Sequence, residues 1–218
     1  MSRTSPNSPL LTLLSYRYNN KSLMGTREVL GEEDEVQPNG KMFTKLDLGD
    51  YRWLSYDEAD SMAERFGRGL RALGQKTGES VCLFADTRME WMVAAQASFR
   101  QSFPVVTLYT NLGEEAVVHG LNETGAELVI TSHELLPKFR SILAANKDKV
   151  KTIVYMESPL HRTPTLGFRD DVTIVSFWEV ISRGKQALVE DQFEPIPPTP
   201  STPAIIMYTS GSTVSIEC

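Results

Sequence analysis

The stretch of this sequence whose residue types and spacing are best suited to chemistry is Thr209-Ser210-Gly211-Ser212-Thr213. Glycine lets a backbone bend close to a bound group, successive N–H groups can form an anion-binding nest, and hydroxyls add donors with little bulk. That combination suits a polyphosphate, and the hydroxyls can also assist a Mg²⁺ that the polyphosphate carries. Ser, Thr and Gly clusters also make ordinary turns, so composition alone leaves both uses open. The stretch is not a Walker loop, because it lacks G-x-x-x-x-G-K-[ST].

Other reactive side chains are scattered. His119, His133 and His161 stand apart, with no HExxH and no Cys/His cluster, so each is expected to be a surface or satisfied polar residue, and no metal site is assigned to protein ligands. Cys82 lies in an apolar run and Cys218 is the last residue, which is no disulfide framework and fits a reducing compartment. A net charge of -6 and a pI near 5.2 argue against a large positive field for nucleic acid.

The elements that must carry the loop follow from hydrophobic pattern. Ala204-Ile205-Ile206-Met207-Tyr208 reads as a strand running into Thr209, and in an open parallel sheet ligands bind beyond the carboxyl ends of strands. Val81 to Ala85, Val105 to Tyr109, Leu128 to Ile130, Ile153 to Met156 and Thr173 to Val175 are short continuous apolar runs, the pattern of strands buried on both faces. Helix starts are expected at Ser55 with Glu58, Thr87 with Glu90, Asn111 with Glu114, Thr131 with Glu134 and Ser176 with Glu179. In each, an oxygen can cap orphan N–H groups and the Glu meets the positive end of the helix dipole.

Ala59, Met62, Ala63, Phe66, Leu70 and Leu73 keep helical spacing up to Gly74, and Arg88 to Arg100 is apolar nearly all round, as a buried helix would be. A helical stretch is also read from His133 to Ala145. The proline-rich run Pro195 to Pro203 is a connector into the last strand. Strand handing to helix repeatedly predicts an α/β fold with a mainly parallel layered sheet and flanking helices.

The opening is read as irregular. Residues 1–20 are expected to be a flexible segment, and the chain up to about Asp50, with Glu32-Glu33-Asp34-Glu35 and the turn Pro38-Asn39-Gly40, a solvated loop. The longest apolar stretch there, Leu10 to Leu14, is interrupted by Thr12 and far short of a membrane span, and no basic n-region precedes it. No membrane anchor or secretory signal is therefore expected.

Met207 to Thr213 resembles the start of the phosphate-loop signature of the adenylate-forming superfamily, Y-T-S-G-S-T-G. Gly25-Thr26-Arg27-Glu28, Tyr51 to Tyr56, Thr87 to Gln96 and the segment from Val106 to Glu123 resemble long-chain fatty acyl-CoA synthetases, and within them the arachidonate-preferring and lipid-droplet-associated branch. The resemblance runs from about Lys21 to Thr213. It implies residues 21–213 as a partial AMP-binding N-terminal adenylation domain, 214–218 as a divergent tail, and no C-terminal domain.

By that resemblance the activity is fatty acid + ATP + CoA to acyl-CoA + AMP + pyrophosphate, with Mg²⁺, and Thr209, Ser210, Gly211, Ser212 and Thr213 contact the ATP phosphates. The family's next residue is Gly where this sequence has Val214, a β-branched residue ill suited to positive φ. The chain alone is therefore expected to be inactive.

The resemblance also implies an intracellular protein, at the cytosolic face of the endoplasmic reticulum, the mitochondrial outer membrane or lipid droplets; the missing anchor points instead to a soluble cytoplasmic one. Two other readings of function are kept: a non-catalytic module that binds or modulates the full-length synthetase or a membrane partner, and an unrelated α/β nucleotide binder using the loop alone.

Overall fold

A computed structural model describes residues 9–145 and 149–208. From the amino end the elements are α1 (Leu10–Tyr18), β1 (Ser22–Val36), β2 (Met42–Ser55), α2 (Tyr56–Ala72), β3 (Val81–Phe84), α3 (Met89–Arg100), β4 (Val105–Thr107), α4 (Glu114–Thr124) and β5 (Leu128–Ser132). A 3₁₀ turn (Leu136–Lys138) then leads into α5 (Phe139–Ala145), followed by β6 (Thr152–Met156), β7 (Thr173–Ser176), α6 (Phe177–Val189) and β8 (Ile205–Met207).

The apolar runs become one sheet in the order β7-β6-β5-β3-β4-β8, with every pairing parallel. β3 lies inside it with all four residues buried. Because successive strand residues point to opposite faces, Val81 and Leu83 join one core with Phe66, Val93 and Phe177 of α2, α3 and α6. Cys82 and Phe84 join a second core with Val117, Leu121, Phe139 and Ile142 of α4 and α5. Both faces are covered, which is why these strands read as continuous apolar runs.

On the first face, α2 and α6 cross backbone to backbone. A Cβ on Gly184 would stand 1.6 Å from the Arg65 carbonyl oxygen, and one on Gly69 would stand 2.1 Å from that of Val180. Below the crossing Phe66 stacks on Phe177 with ring centroids 4.4 Å apart. The proline-rich connector is irregular, as expected, and is sewn to the body. Arg68 donates to the Gln192 carbonyl, Gln101 Nε2 to that of Phe193 at 3.3 Å, and Ser102 Oγ to that of Ile196 at 2.6 Å.

Helix starts divide by whether the extended residue ahead of the helix carries a hydroxyl that accepts from its first turn. Ser55 and Glu58 form the full capping box of α2, and Ser176 accepts from Glu179 N at α6. The other expected starts are corrected. α3 begins one residue later, behind Arg88, and Glu90 instead takes a two-pronged ion pair from Arg88. α4 starts behind Gly113. Thr131 lies inside β5 and donates to the Phe84 carbonyl at 2.8 Å, so the helix read from His133 is only the 3₁₀ turn and α5.

The opening departs most from expectation. The solvated loop is a long antiparallel hairpin of β1 and β2, turning at Gln37–Lys41 with Gly40 at φ 79°. Its residues are mostly exposed, so burial left little periodic signal. Where the register shifts near Val29, the Arg27 guanidinium donates to the carbonyls of Gly49 at 3.0 Å and Leu48 at 2.7 Å and fills the irregularity. Leu23, Met24 and Leu54 pack its base on the first core, and Glu32 Oε1 lies 2.9 Å from His161 Nε2.

Within the segment expected to be flexible, residues 10–18 form α1. It is tied down by Thr12, which donates to Asp60 Oδ1 at 2.8 Å and accepts from Arg100 at 2.6 Å, while Arg100 also pairs with Asp60. The Arg100 side chain is 4% exposed and that of Asp60 10%.

Removing one partner of such a buried pair strands the other charge, so Asp60→Ala is expected to destabilise the chain by about 3–5 kcal/mol. Gly184→Ala is expected to cost about 3 kcal/mol or more, at the upper end of overpacking, because a main-chain carbonyl blocks the new methyl. Urea unfolding measures both; midpoints equal to that of the parent chain would contradict them. Ser55→Ala is expected to cost about 1 kcal/mol at pH 7. The cap's hydrogen bonds, Ser55 N–H first, hold the Glu58 carboxyl below its ordinary 4.5. The capping contribution is thus present above that value and fades as pH falls through the lowered one, which urea unfolding at pH 7 and pH 3 checks.

Candidate functional site

Residues Thr209, Ser210, Gly211, Ser212 and Thr213 lie outside the described residues, as does the tail 214–218. What the structure positions is their root. β8 pairs in parallel with β4, Val105 with Ile205, Val106 with Ile206 and Thr107 with Met207. Residue 208 therefore leaves at the carboxyl edge of the sheet, where open parallel sheets bind ligands.

Alternate residues of the strand have different surroundings. Ile206 and Tyr208 pack on the second core, whereas Ile205 and Met207 are 45% and 65% exposed. Tyr208 Oη donates to Glu123 Oε2 at 2.5 Å, and His119 Nε2 lies 3.7 Å from the same oxygen. Burial first, then the hydrogen bond to Glu123 and its charge, raise the Tyr208 phenol well above its ordinary range, so the hydroxyl stays protonated and donates. Glu123 is a functional candidate that pattern reading missed. It sits 85 residues from Tyr208, and nothing local marks it.

Along the same carboxyl edge Thr110 Oγ1 donates to Asp86 Oδ1 at 2.8 Å, and Lys138 Nζ donates to the Thr110 carbonyl at 3.2 Å. These contacts tie the segments leaving β3 and β4 to the turn after β5. On β6's side, Arg88 holds Glu90 and reaches the Glu157 carbonyl at 3.4 Å. Burial, then the Glu157 and Glu179 charges, push the Tyr155 phenol up against the opposing effect of Arg162.

The structure places the three histidines apart, each beside a carboxylate. His119 faces Glu123, His161 faces Glu32, and His133 Nδ1 lies 3.0 Å from Glu134 yet makes no hydrogen bond. Among the described residues no group of three or more His, Cys, Asp or Glu is arranged to hold a metal ion. No helix among them is long and apolar enough to cross a membrane.

The fold is that of adenylating domains. The adenylation domain of a carboxylate reductase from Mycobacterium chelonae superposes with a TM-score of 0.73 at 22% identity, over 96% of this chain and 33% of that one. An anthranilate CoA ligase bound to anthranoyl-AMP superposes at 0.60 and 22% identity, over 75% and 28%.

The chain belongs to the AMP-binding enzyme family, whose model matches residues 32–214. Its relatives include long chain acyl-CoA synthetase 8 of Arabidopsis thaliana, 38% identical over 90% of this chain and 27% of the relative. Another is fatty acyl-CoA synthetase B of Dictyostelium discoideum, 33% identical over 87% and 27%. The chain thus spans about a quarter of the curated relatives it matches.

Cys82 is fully buried and its thiol is pushed up to about 12 by burial. The thiolate is the reactive form, so the folded chain is expected to leave Cys82 unlabelled by iodoacetamide at pH 8, with labelling complete in urea. Peptide mass spectrometry on the Cys82 fragment checks it; rapid labelling of the folded chain would contradict the burial.

Proposed function

We propose that this sequence supplies part of the adenylating domain of a long-chain fatty acid–CoA ligase, with Thr209, Ser210, Gly211, Ser212 and Thr213 holding the ATP phosphates. The observation that carries the reading is β8, whose parallel pairing with β4 delivers residue 208 to the sheet's carboxyl edge directly before those five residues. The match to the AMP-binding enzyme family supports the same placement, since its range 32–214 takes in the loop.

In that reaction a fatty carboxylate oxygen bonds to the α-phosphorus of ATP, the α–β bridge breaks and pyrophosphate leaves. The CoA sulfur then bonds to the acyl carbon and AMP departs with the electron pair. The first step moves negative charge across crowded phosphates, and the second moves it onto the single phosphate of the departing AMP. The loop's part is to present backbone N–H and hydroxyl donors that are already oriented when the charge shifts. Mg²⁺ enters as part of the nucleotide and would neutralise phosphate charge when bound.

The family resemblance supports an intracellular membrane or lipid droplet as the whole protein's place of work, with a soluble cytoplasmic protein as the alternative. A second reading is favoured by the exposed Ile205 and Met207: the β8 edge lets the chain associate with the full-length synthetase, which a pull-down with that enzyme tests.

Mg²⁺–ATP is expected to raise the thermal midpoint of the purified chain, by about 1.4 kcal/mol of stability at ten times its Kd, and Gly211→Asp is expected to abolish the response. A midpoint unmoved by millimolar Mg²⁺–ATP would sink the phosphate assignment. Acyl-CoA formation by the 218-residue chain alone is expected to be undetectable, given the quarter of its relatives' length that it spans. A coupled pyrophosphate assay measures this, and sustained turnover would refute it.

A further inference from the structure

We infer that the connector and β8 exchange between two copies of this chain, the β8 of each copy pairing with the β4 of the other. The edge of β4 names its occupant. Among the described residues the segment that fits it is 205–207, with Val105 N donating to the Ala204 carbonyl at 3.0 Å and Ile206 packed on the second core. Tyr208 packs on the same core and gives its hydroxyl to Glu123 of α4. All of these partners precede α6 in the chain, so a second copy presents the same set to an incoming β8.

The attachment of the connector favours exchange. Residues 190–204 join α6 to β8, and extended they reach about 50 Å at roughly 3.3 Å each. From Phe193 to Pro203, among the described residues, no main-chain group bonds to the main chain of the body. The ties are side-chain donors: Arg68 to the Gln192 carbonyl, Gln101 to that of Phe193 and Ser102 to that of Ile196. β8 itself is three residues long, with β4 its one strand neighbour.

The closed path also carries strain at its start. Asp191 N donates to the Leu188 carbonyl at 3.2 Å and Gln192 N to that of Ala187 at 2.8 Å, the paired bonds of a helix end that favours glycine at the left-handed position. Asp191 stands there instead, with φ 54°. Two residues on, Phe193 has φ 53°, a conformation costly for a bulky side chain. These two residues turn the chain back toward α2 and the end of α3, where its ties lie. An extended exit from α6 relaxes both, and two exits open in each reciprocal dimer. What opposes exchange is the loss of freedom on bringing two copies together, so its extent depends on concentration.

The test refolds the 218-residue chain from urea at rising concentration and follows its mass by sedimentation. Two single-substitution chains, Thr107→Cys and Met207→Cys, both carrying Cys218→Ser as well, are then refolded together and treated with a short thiol cross-linker. Residues 107 and 207 are register partners, so a 107–207 cross-peptide in this mixture reports β8 of one chain on β4 of the other. The dimer fraction is expected to rise with concentration, and that cross-peptide is expected to be the main product. Asp191→Gly supplies the residue that its position favours, and over the two exits of a dimer it is expected to make dimerisation roughly tenfold weaker.

A chain that stays monomeric at every concentration would overturn the inference. So would a dimer or an aggregate that yields no 107–207 cross-peptide, or an Asp191→Gly chain that dimerises as strongly as its parent.

Discussion

The structure depends on the crossing of α2 and α6, where two glycines let one helix backbone rest on another. With a side chain at Gly69 or Gly184 the axes would have to part, because the obstructing atoms are main-chain carbonyls that cannot rotate away. That approach sets the contacts around the two helices on the first face of the sheet. Phe66 reaches Phe177, the end of α6 comes close enough for Arg68 to hold the Gln192 carbonyl, and Gln101 and Ser102 take the connector onward. The connector then delivers β8 to the open side of β4. The placement of β8 thus traces back to a packing constraint between α2 and α6.

The amino-terminal elements are attached by polar contacts of unequal weight. Arg100, Asp60 and Thr12 form a buried network in which each member satisfies another, and its cost when broken is high because a charge would be left without water. The ion pairs along the hairpin, Lys45 with Glu35 and Arg52 with Glu28, are exposed on both sides and contribute little. α1 is therefore fastened by chemistry and the hairpin mainly by its apolar base.

Much of the sheet was legible because both its faces are covered: burial on two sides writes uninterrupted apolar runs such as Val81 to Phe84. Ser55 and Ser176 were legible as caps because they stand extended ahead of their helices, while Thr131 carries the same pattern inside a strand and spends its hydroxyl on Phe84. The hairpin was not legible, since exposed residues on both faces leave hydrophobicity nothing to alternate with. α1 was missed because its inward residues include Thr12, whose partners lie far along the chain, and Ser15, whose hydroxyl turns back to the Thr12 carbonyl. The candidate site divides the same way. Its loop is a contiguous string, readable as such, whereas Glu123 matters only because folding brings it to Tyr208.

The pairing of Val105 with Ile205 joins residues one hundred apart in sequence (205 − 105). During synthesis at roughly 5–20 residues per second, the β4 edge waits about 5–20 s for its partner to be made. Until then Val105 offers an unpaired N–H and C=O to any extended segment nearby, the condition under which edges recruit wrong neighbours. The strand that brings the loop is therefore also the strand that closes the last vulnerable side of β4, so maturation of the site and protection of the nascent chain are one event.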